Sequence, residues 1–387
     1  MNPERIARVA LGSLFEPADP RLAALLRQHT AVDVLDLLRS DAAAQLRESL
    51  ATRLPALDPR GLLTRAAADG IRFIIPGDTE WPGSLDALGE AAAVNGDQGV
   101  PVGLWVRGPY RLADLGTAVA IVGSRSATTY GTDTASGIAA QLSLEGVTVV
   151  SGGAVGIDAA AHMGALAVRK PTIAVLAGGV DRPYPKLNTA LLARIAETGA
   201  VVSEAPLDSA PMKHRFLTRN RLIASLSLGT LVVEAAARSG SLNTANWADQ
   251  LSRAVMALPG PVTSAQSEGT HALLRNGASL VTCAEHVLEL VGPSGEATVA
   301  EPRGVPRASD RLTKQDRRIL DATPVVRPAA AASIARVAGV GLLEAAHTLA
   351  QLERAGAVMC RPDGWVQVRT ANDTLDLGEL TLPSGPA

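Results

Sequence analysis

The hydrophobic pattern changes character along the chain. In residues 1–70 apolar positions recur at helical spacing. Ile6, Val9, Ala10 and Leu14 share one face, Leu22, Leu25 and Leu26 begin a second, and Val34, Leu35, Leu37 and Leu38 a third. Pro17, Pro20, Pro55 and Pro59 punctuate them. The pattern predicts a small helical bundle. Its role stays open between packing or protein contact and a nucleic-acid-binding helix-hairpin-helix, although no clear glycine hairpin joins the helices.

From Ile71 short apolar runs alternate with helical stretches. Strands are predicted at 72–75, 103–107, 118–122, 147–151, 172–176, 200–202, 229–233, 254–257 and 279–281. Helices are predicted at 132–145, 158–167, 187–198, 220–227, 241–251 and 269–276. The strands are nearly continuous in apolar residues, as in a parallel sheet covered on both faces. The fold class expected for 71–292 is therefore α/β, a doubly wound parallel sheet. The glycine-containing stretch 89–99 reads as a mobile loop. Residues 293–311, rich in Pro, Gly, Ala and charge, read as a linker. Residues 312–370 follow the order helix, helix-turn-helix, hairpin, a winged-helix pattern. Residues 371–387 read as a disordered tail.

Composition narrows the function. The 387 residues carry a formal net charge of -2, so no global basic footprint exists and any nucleic-acid contact must come from a local patch. Aromatics are 3% of the chain, which leaves Ala, Val and Leu to build the cores. Cys283 and Cys360 lie far apart with no CxxC pair, against a disulfide framework or zinc site; buried reduced thiols are expected. Glu4, Arg5 and Arg8 interrupt the first residues, so no signal-peptide core is read there. No apolar run reaches membrane-spanning length. The expected setting is cytoplasmic, away from membrane.

The candidate chemistry sits beyond the carboxyl ends of the strands, where open parallel sheets bind ligands. Gly123, Ser124 and Arg125 follow one strand, and Ser151, Gly152 and Gly153 the next. Gly178-Gly179, Ser203-Glu204, and Glu234 with Ser239, Gly240 and Ser241 follow others. Five such turns on one edge point to a ligand rather than to turn geometry alone. The stretch 149–162 is the centre of the edge: a strand, a glycine turn and a helix start, which together suit a phosphate. The ligand is not a dinucleotide by pattern. The first turn is not GxGxxG, the second strand ends in Ser151 rather than an acid, and no Walker GxxxxGK[ST] occurs.

The most basic stretch is 213–221, where Lys213, Arg219 and Arg221 surround Phe216 without an acid. Cations around an exposed ring suit single-stranded nucleic acid, and a solvated basic loop with the ring tucked inwards is an equal alternative. Catalytic signals are thin. Asp158 and His162 at helical spacing fit an acid–base dyad or, more commonly, structural support. Glu204 and Glu234 end neighbouring strands and could act together on a sugar. No catalytic residue, metal site or cofactor is assigned.

Taken together, Gly123-Ser-Arg125, the run from Ser151 to His162, the run from Ala177 to Pro185, Ser203-Glu204, Phe216-Leu-Thr-Arg-Asn-Arg-Leu-Ile223, Val233-Glu-Ala235, the run from Ser239 to Ala245 and Pro259-Gly260 resemble the DNA-processing protein A (DprA/Smf) family. The resemblance covers roughly residues 70–290. It implies a Rossmann-like core that binds single-stranded DNA without hydrolysing it, protects incoming strands in transformation, loads the recombinase RecA and works as a homodimer. It also implies a SAM-like helical domain before the core and a winged helix after it. By resemblance Arg125, Lys213, Arg219, Asn220 and Arg221 are phosphate contacts. Gly152-Gly153 and Ser239-Gly240 are backbone cradles, with Gly123 and Ser124 beside them, and Phe216 contacts a base. Two positions depart from the pattern: Val155 stands where many members have Arg, and Leu217 where many have Pro. Residues 342–355 carry Glu344, Glu353 and His347 against one cation, Arg354, so the winged helix is not expected to read a DNA groove. The rival readings are an enzyme that cleaves nucleoside monophosphates at the glycosidic bond and, more weakly, a transcription factor.

Overall fold

The computed structural model describes residues 2–40, 57–292 and 312–368. The expected linker at 293–311 and tail at 371–387 lie outside the described residues. The chain divides into two compact units, 1–299 and 300–387.

The first unit begins with helices α1 (Pro3–Leu14), α2 (Pro20–Leu26), α3 (Ala31–Arg39) and α4 (Pro59–Ala68). Their starts follow local rules. Asn2, Asp19, Thr30 and Asp58 accept hydrogen bonds from otherwise unpartnered first-turn N–H groups. Proline sits in the first turn of α1, α2 and α4, where no N–H is needed. Ala10, Leu14, Leu22, Val34 and Leu38 from the predicted stripes, joined by Leu11, form the bundle's buried core.

A nine-stranded sheet follows. Its strands are β1 (Ile71–Ile74), β2 (Leu104–Arg107), β3 (Ala118–Val122), β4 (Thr148–Ser151), β5 (Thr172–Val175), β6 (Ala200–Ser203), β7 (Gly229–Val232), β8 (Ala254–Ala257) and β9 (Ser279–Leu280). The spatial order is β1-β2-β6-β5-β4-β3-β7-β8-β9. From β6 to β9 all neighbours are parallel. The sheet is not purely parallel, because β1 pairs antiparallel with β2 and β2 with β6. The stretch read as a mobile loop between β1 and β2 contains an isolated bridge, Val94 to Asp97, with Asn95 and Gly96 at positive φ as a tight hairpin turn requires.

Seven helices connect or follow the strands of this sheet: α5 (Thr129–Leu144), α6 (Ile157–Ala167), α7 (Thr189–Thr198), α8 (Lys213–Ser225), α9 (Ser241–Gln250), α10 (Glu268–Arg275) and α11 (Ala284–Val291). The last of these, α11, is absent from the sequence expectation. Val119, Ile121 and Val149 pack under α5 and α6, while Ala120, Val150 and Ile173 face α8 and α9. Each aliphatic side chain buried on either face contributes about 1.5–3 kcal/mol, which is why these runs form central strands. A Cβ on Gly164 would lie 2.2 Å from the Ser136 carbonyl oxygen, so glycine lets α6 lie directly on α5.

Two expectations are corrected. The basic stretch 213–221 is not a loop; it forms most of α8, which starts seven residues before the predicted helix at 220–227. Before Leu222 its buried residues are polar, Thr218, Arg219, Asn220 and Arg221, so no apolar period announces its first turns. Neither cysteine is buried: Cys283 is half-buried at the start of α11 and Cys360 is exposed.

The second unit holds α12 (Lys314–Ala322), α13 (Ala331–Ala338), α14 (Leu342–Arg354) and the hairpin β10 (Val358–Arg361) with β11 (Gly364–Gln367). Ile319, Ile334, Leu349, Leu352 and Val358 form its core. Gly339, at φ 64°, ends α13 in the left-handed conformation that glycine accepts. Ala329 bridges to Trp365 beside the hairpin. Cys360 lies opposite Trp365 on this two-stranded ribbon, whose β10 residues after Val358 face solvent. Both acids of α14 are engaged: Glu344 accepts from the Gly341 N–H at 3.2 Å and Glu353 from the Cys360 N–H at 3.0 Å.

Candidate nucleic-acid interface

The chain runs outward from β3 through β4 and β5 to β6, then crosses back to place β7 on the other side of β3. At such a switch point the loops leaving adjacent strands diverge and open a crevice. Here it is a cavity of about 950 Å³. Gly123, Ser124 and Arg125 line it from the turn after β3, Lys213, Phe216, Arg219 and Asn220 from α8, and Ser239 and Gly240 from the turn before α9. Among the further lining residues to which the sequence assigned no role are Tyr184, Arg238 and Gln266. Arg238 had a signal, since it adjoins the Ser239-Gly240 turn. Tyr184 lies within a quoted motif that carried no role. Gln266 had none, because its place depends on the loop after β8.

The walls are tied to one another before any ligand arrives. The Ser124 N–H donates to the Glu234 carbonyl at 2.7 Å and its hydroxyl to Gln266 Oε1 at 2.8 Å. Gly156, at φ 82°, leads into α6, and a Cβ there would lie 2.3 Å from the Ser124 carbonyl oxygen. The Asn220 amide donates to the Gly240 carbonyl at 3.1 Å and to Asn243 Oδ1 at 3.2 Å, so it holds the Ser239-Gly240 turn in place.

The basic stretch separates into different jobs. Arg215 is clamped in a two-pronged ion pair by Glu16 at 2.7 and 2.8 Å, with His214 at 3.1 Å. Arg215's hydrogen bonds hold the Glu16 carboxyl down at about 2 against the opposing effect of burial. Arg221 is fully buried and ion-paired with Glu204, below the cleft rather than in it. Arg219 reaches under the glycine turn, donating to the Gly152 carbonyl at 2.8 Å and to that of Val175. Burial lowers its pKa to about 10, with Asp158 opposing and the nearby Arg125 charge assisting, which leaves it protonated at neutral pH. In this stretch Lys213 alone is a cation without a hydrogen-bonded or ion-paired partner among the described residues. Together Arg125, Lys213 and Arg238 line the cleft with no hydrogen-bonded or ion-paired partner among the described residues. The Arg125 guanidinium lies 4.7 Å over the Phe216 ring, a cation–π contact.

The glycine turn that organises the sequence reading is filled from inside. The Gly152 N–H donates to Asp158 Oδ2 at 3.1 Å, so the anion in this cradle is a side chain of the next helix. Gly152, Gly153 and Arg221 are not among the cleft's lining residues. Of the two departures, Leu217 lines the cleft and Val155 does not. Burial pushes the Asp158 carboxyl up, opposed by Arg219 and by the N–H groups of Ala154 and Gly152.

The acids that kept an enzyme open are occupied. Glu204 faces Arg221, and Glu234 accepts from the Thr128 N–H at 2.9 Å and from its hydroxyl. Among the described residues no three His, Cys, Asp or Glu side chains are grouped to hold a metal ion.

His162 is buried and structural. Thr172 Oγ1 donates to the Val149 carbonyl at 2.7 Å, so it accepts from His162 Nδ1 at 2.8 Å, leaving Nε2 unprotonated and without a partner. Burial, assisted by the Arg219 charge, lowers its pKa from 6.5 to about 3. Between those pH values the unfolded chain binds a proton that the native one refuses. Stability attributable to this group is therefore full above pH 6.5 and falls as pH drops, by at most about 1.4 kcal/mol per unit. Asp158 works in the opposite direction, and comparison with a His162 variant cancels it. From pH 7 to 5, urea denaturation should show the wild type losing about 2 kcal/mol more than His162→Gln; equal losses would remove His162 as the cause.

No helix among the described residues is long and apolar enough to cross a membrane. A family model for DNA recombination-mediator protein A matches residues 72–292. A Mycobacterium tuberculosis (strain H37Rv) protein bearing the name DprA is 44% identical over 381 residues, 94% of this chain and 95% of its own. Protein Smf of Escherichia coli K12 is 37% identical over 297 residues, 76% of this chain and 74% of its own. The X-ray structure of DNA processing protein A from Streptococcus pneumoniae aligns with a TM-score of 0.60 at 30% identity, covering 76% of this chain and 99% of that one.

Proposed function

The chain belongs to the DNA recombination-mediator protein A family, and from that premise we propose that it binds single-stranded DNA without sequence preference in the switch-point cleft, protects the strand and loads RecA onto it. The observation that carries the reading is the convergence of Arg125, Lys213 and Arg238, all unpaired among the described residues, around the half-buried ring of Phe216. Unpaired cations supply phosphate contacts, and an aromatic face supplies stacking that every base accepts. A duplex buries its base faces and gains only the first.

The protein acts as a binding protein rather than an enzyme. Glu204 and Glu234, the acids that sugar chemistry would need, already serve Arg221 and Thr128. It works in the cytoplasm as a homodimer. The N-terminal helices act as a SAM-like packing domain. The second unit acts as a winged helix that contacts protein rather than a DNA groove, in keeping with the acids on α14.

A gel shift with single- and double-stranded DNA of equal length, with and without RecA, tests the reading. The single strand is expected to shift at lower protein concentration and to recruit RecA faster when the protein is present. Affinity should fall linearly with salt on a log–log scale, as counterion release requires. Equal affinity for both forms would sink it, and release of free base from nucleoside monophosphates would favour the enzyme.

A further inference from the structure

Tyr184 belongs to the motif from Ala177 to Pro185, to which no role has been given. The chain has only ten aromatic residues, four Trp, three Tyr and three Phe. Most lie in or against cores. Among the described residues two are exposed, Tyr130 at 47% and Tyr184 at 45%. The Tyr130 hydroxyl donates to the Pro259 carbonyl at 2.7 Å, which ties that ring down. The Tyr184 hydroxyl has no hydrogen-bond partner among the described residues. A half-exposed ring at a cleft wall, its hydroxyl without a partner among the described residues, asks for an explanation, because fuller burial would stabilise it.

Its surroundings supply one. The Tyr184 and Phe216 ring centroids are 5.8 Å apart with planes at 58°. That is a tilted contact, not a closed stack, and it leaves the Tyr184 ring accessible. Phe216 in turn carries Arg125, so a cation and two rings are in successive contact at the cleft. The backbone that presents Tyr184 is pinned on both sides. Asp181 accepts from the Asp208 N–H at 2.9 Å, Arg182 donates to the Asp208 carbonyl at 3.1 Å, and the Asn188 amide donates to the Gly153 carbonyl at 3.0 Å. The main chain beneath the ring is therefore preorganised, and little backbone freedom is lost when a ligand stacks on it.

We propose that Tyr184 is a second base-stacking platform beside Phe216, and that an unpaired nucleobase stacks there while its phosphates are held by the free cations of the cleft. This rests on the single-stranded DNA reading of the same cleft and extends its stacking surface from one ring, Phe216, to two.

The test compares oligo-dT with an abasic oligodeoxyribose phosphate of the same length, bound by the full-length wild type, Tyr184→Ala and Tyr184→Phe. Wild type is expected to prefer oligo-dT. Tyr184→Ala should weaken oligo-dT binding about tenfold, the effect of losing one stacked base, and leave abasic binding unchanged. Tyr184→Phe, which keeps the ring, should bind oligo-dT as the wild type does, and it guards against a loss due to misfolding. If Tyr184→Ala binds oligo-dT as tightly as wild type, or loses affinity equally for both ligands, the stacking role is overturned while the DNA site stands. If the wild type binds neither oligonucleotide, the single-stranded DNA reading falls and the stacking role with it.

Discussion

Replacing Arg125 and Lys213 together by Ala is expected to weaken binding to oligo-dT by at least about a hundredfold, since each charge-assisted contact is worth about 1.5–3 kcal/mol. Both side chains are exposed, line one cleft and have no partner among the described residues, so their charges are available to phosphate. Arg125 also supports the Phe216 ring at 4.7 Å, so its loss removes a cation and unsettles a stacking surface. The salt dependence should change too. Each lost phosphate contact lowers the log–log slope for a single strand by about 0.7, so the double variant should lose about 1.4. Fold stability should stay within about 0.5 kcal/mol, as for other surface substitutions. Arg215→Ala is the matched control: the same stretch of sequence loses a cation, but one already neutralised by Glu16. It should bind nearly as wild type. Unchanged affinity in the double variant would remove this cleft as the DNA site.

Glu204→Ala is expected to destabilise the protein by about 3–5 kcal/mol, the cost of leaving a buried charge without its partner. Arg221 is fully buried, its Nε and Nη1 lack partners, and the Glu204 carboxylate is its one ion-pair partner among the described residues. For a unit of this size the melting temperature should fall by roughly 5–8 °C. Removing both members, as in Glu204→Leu with Arg221→Met, should recover much of the loss, because an apolar pair of similar volume replaces the ion pair without an orphaned charge. An unchanged melting temperature for Glu204→Ala would free Glu204 from its structural role and reopen it as a chemical group.

The strand–helix alternation was legible along most of the core because it is written in local chemistry. Runs such as 118–122 are short, apolar at every position, rich in β-branched residues and followed by a glycine turn, as suits a strand covered on both faces. The start of α8 was illegible for the same reason in reverse. Its buried face consists of Thr218, Arg219, Asn220 and Arg221, whose burial is made possible by hydrogen bonds to groups elsewhere in the fold. The antiparallel edge at β1 and β2 was also hidden, since an apolar run does not state the direction of its neighbour.

The sequence by itself determined the family, the doubly wound core and the sheet edge that carries small and basic turns. Glycines, β-branched runs and the basic stretch are properties of the chain that need no partner to be read. Only the tertiary structure decided which cations remain free to bind. Arg215 meets Glu16 from 199 positions away, and Arg221 meets Glu204 from 17 positions away. Among the described residues Arg125, Lys213 and Arg238 meet no acid, and they share one cleft. A charge is a property of a residue, but its availability depends on what the fold sets beside it, because a paired or buried cation has already replaced its water with protein.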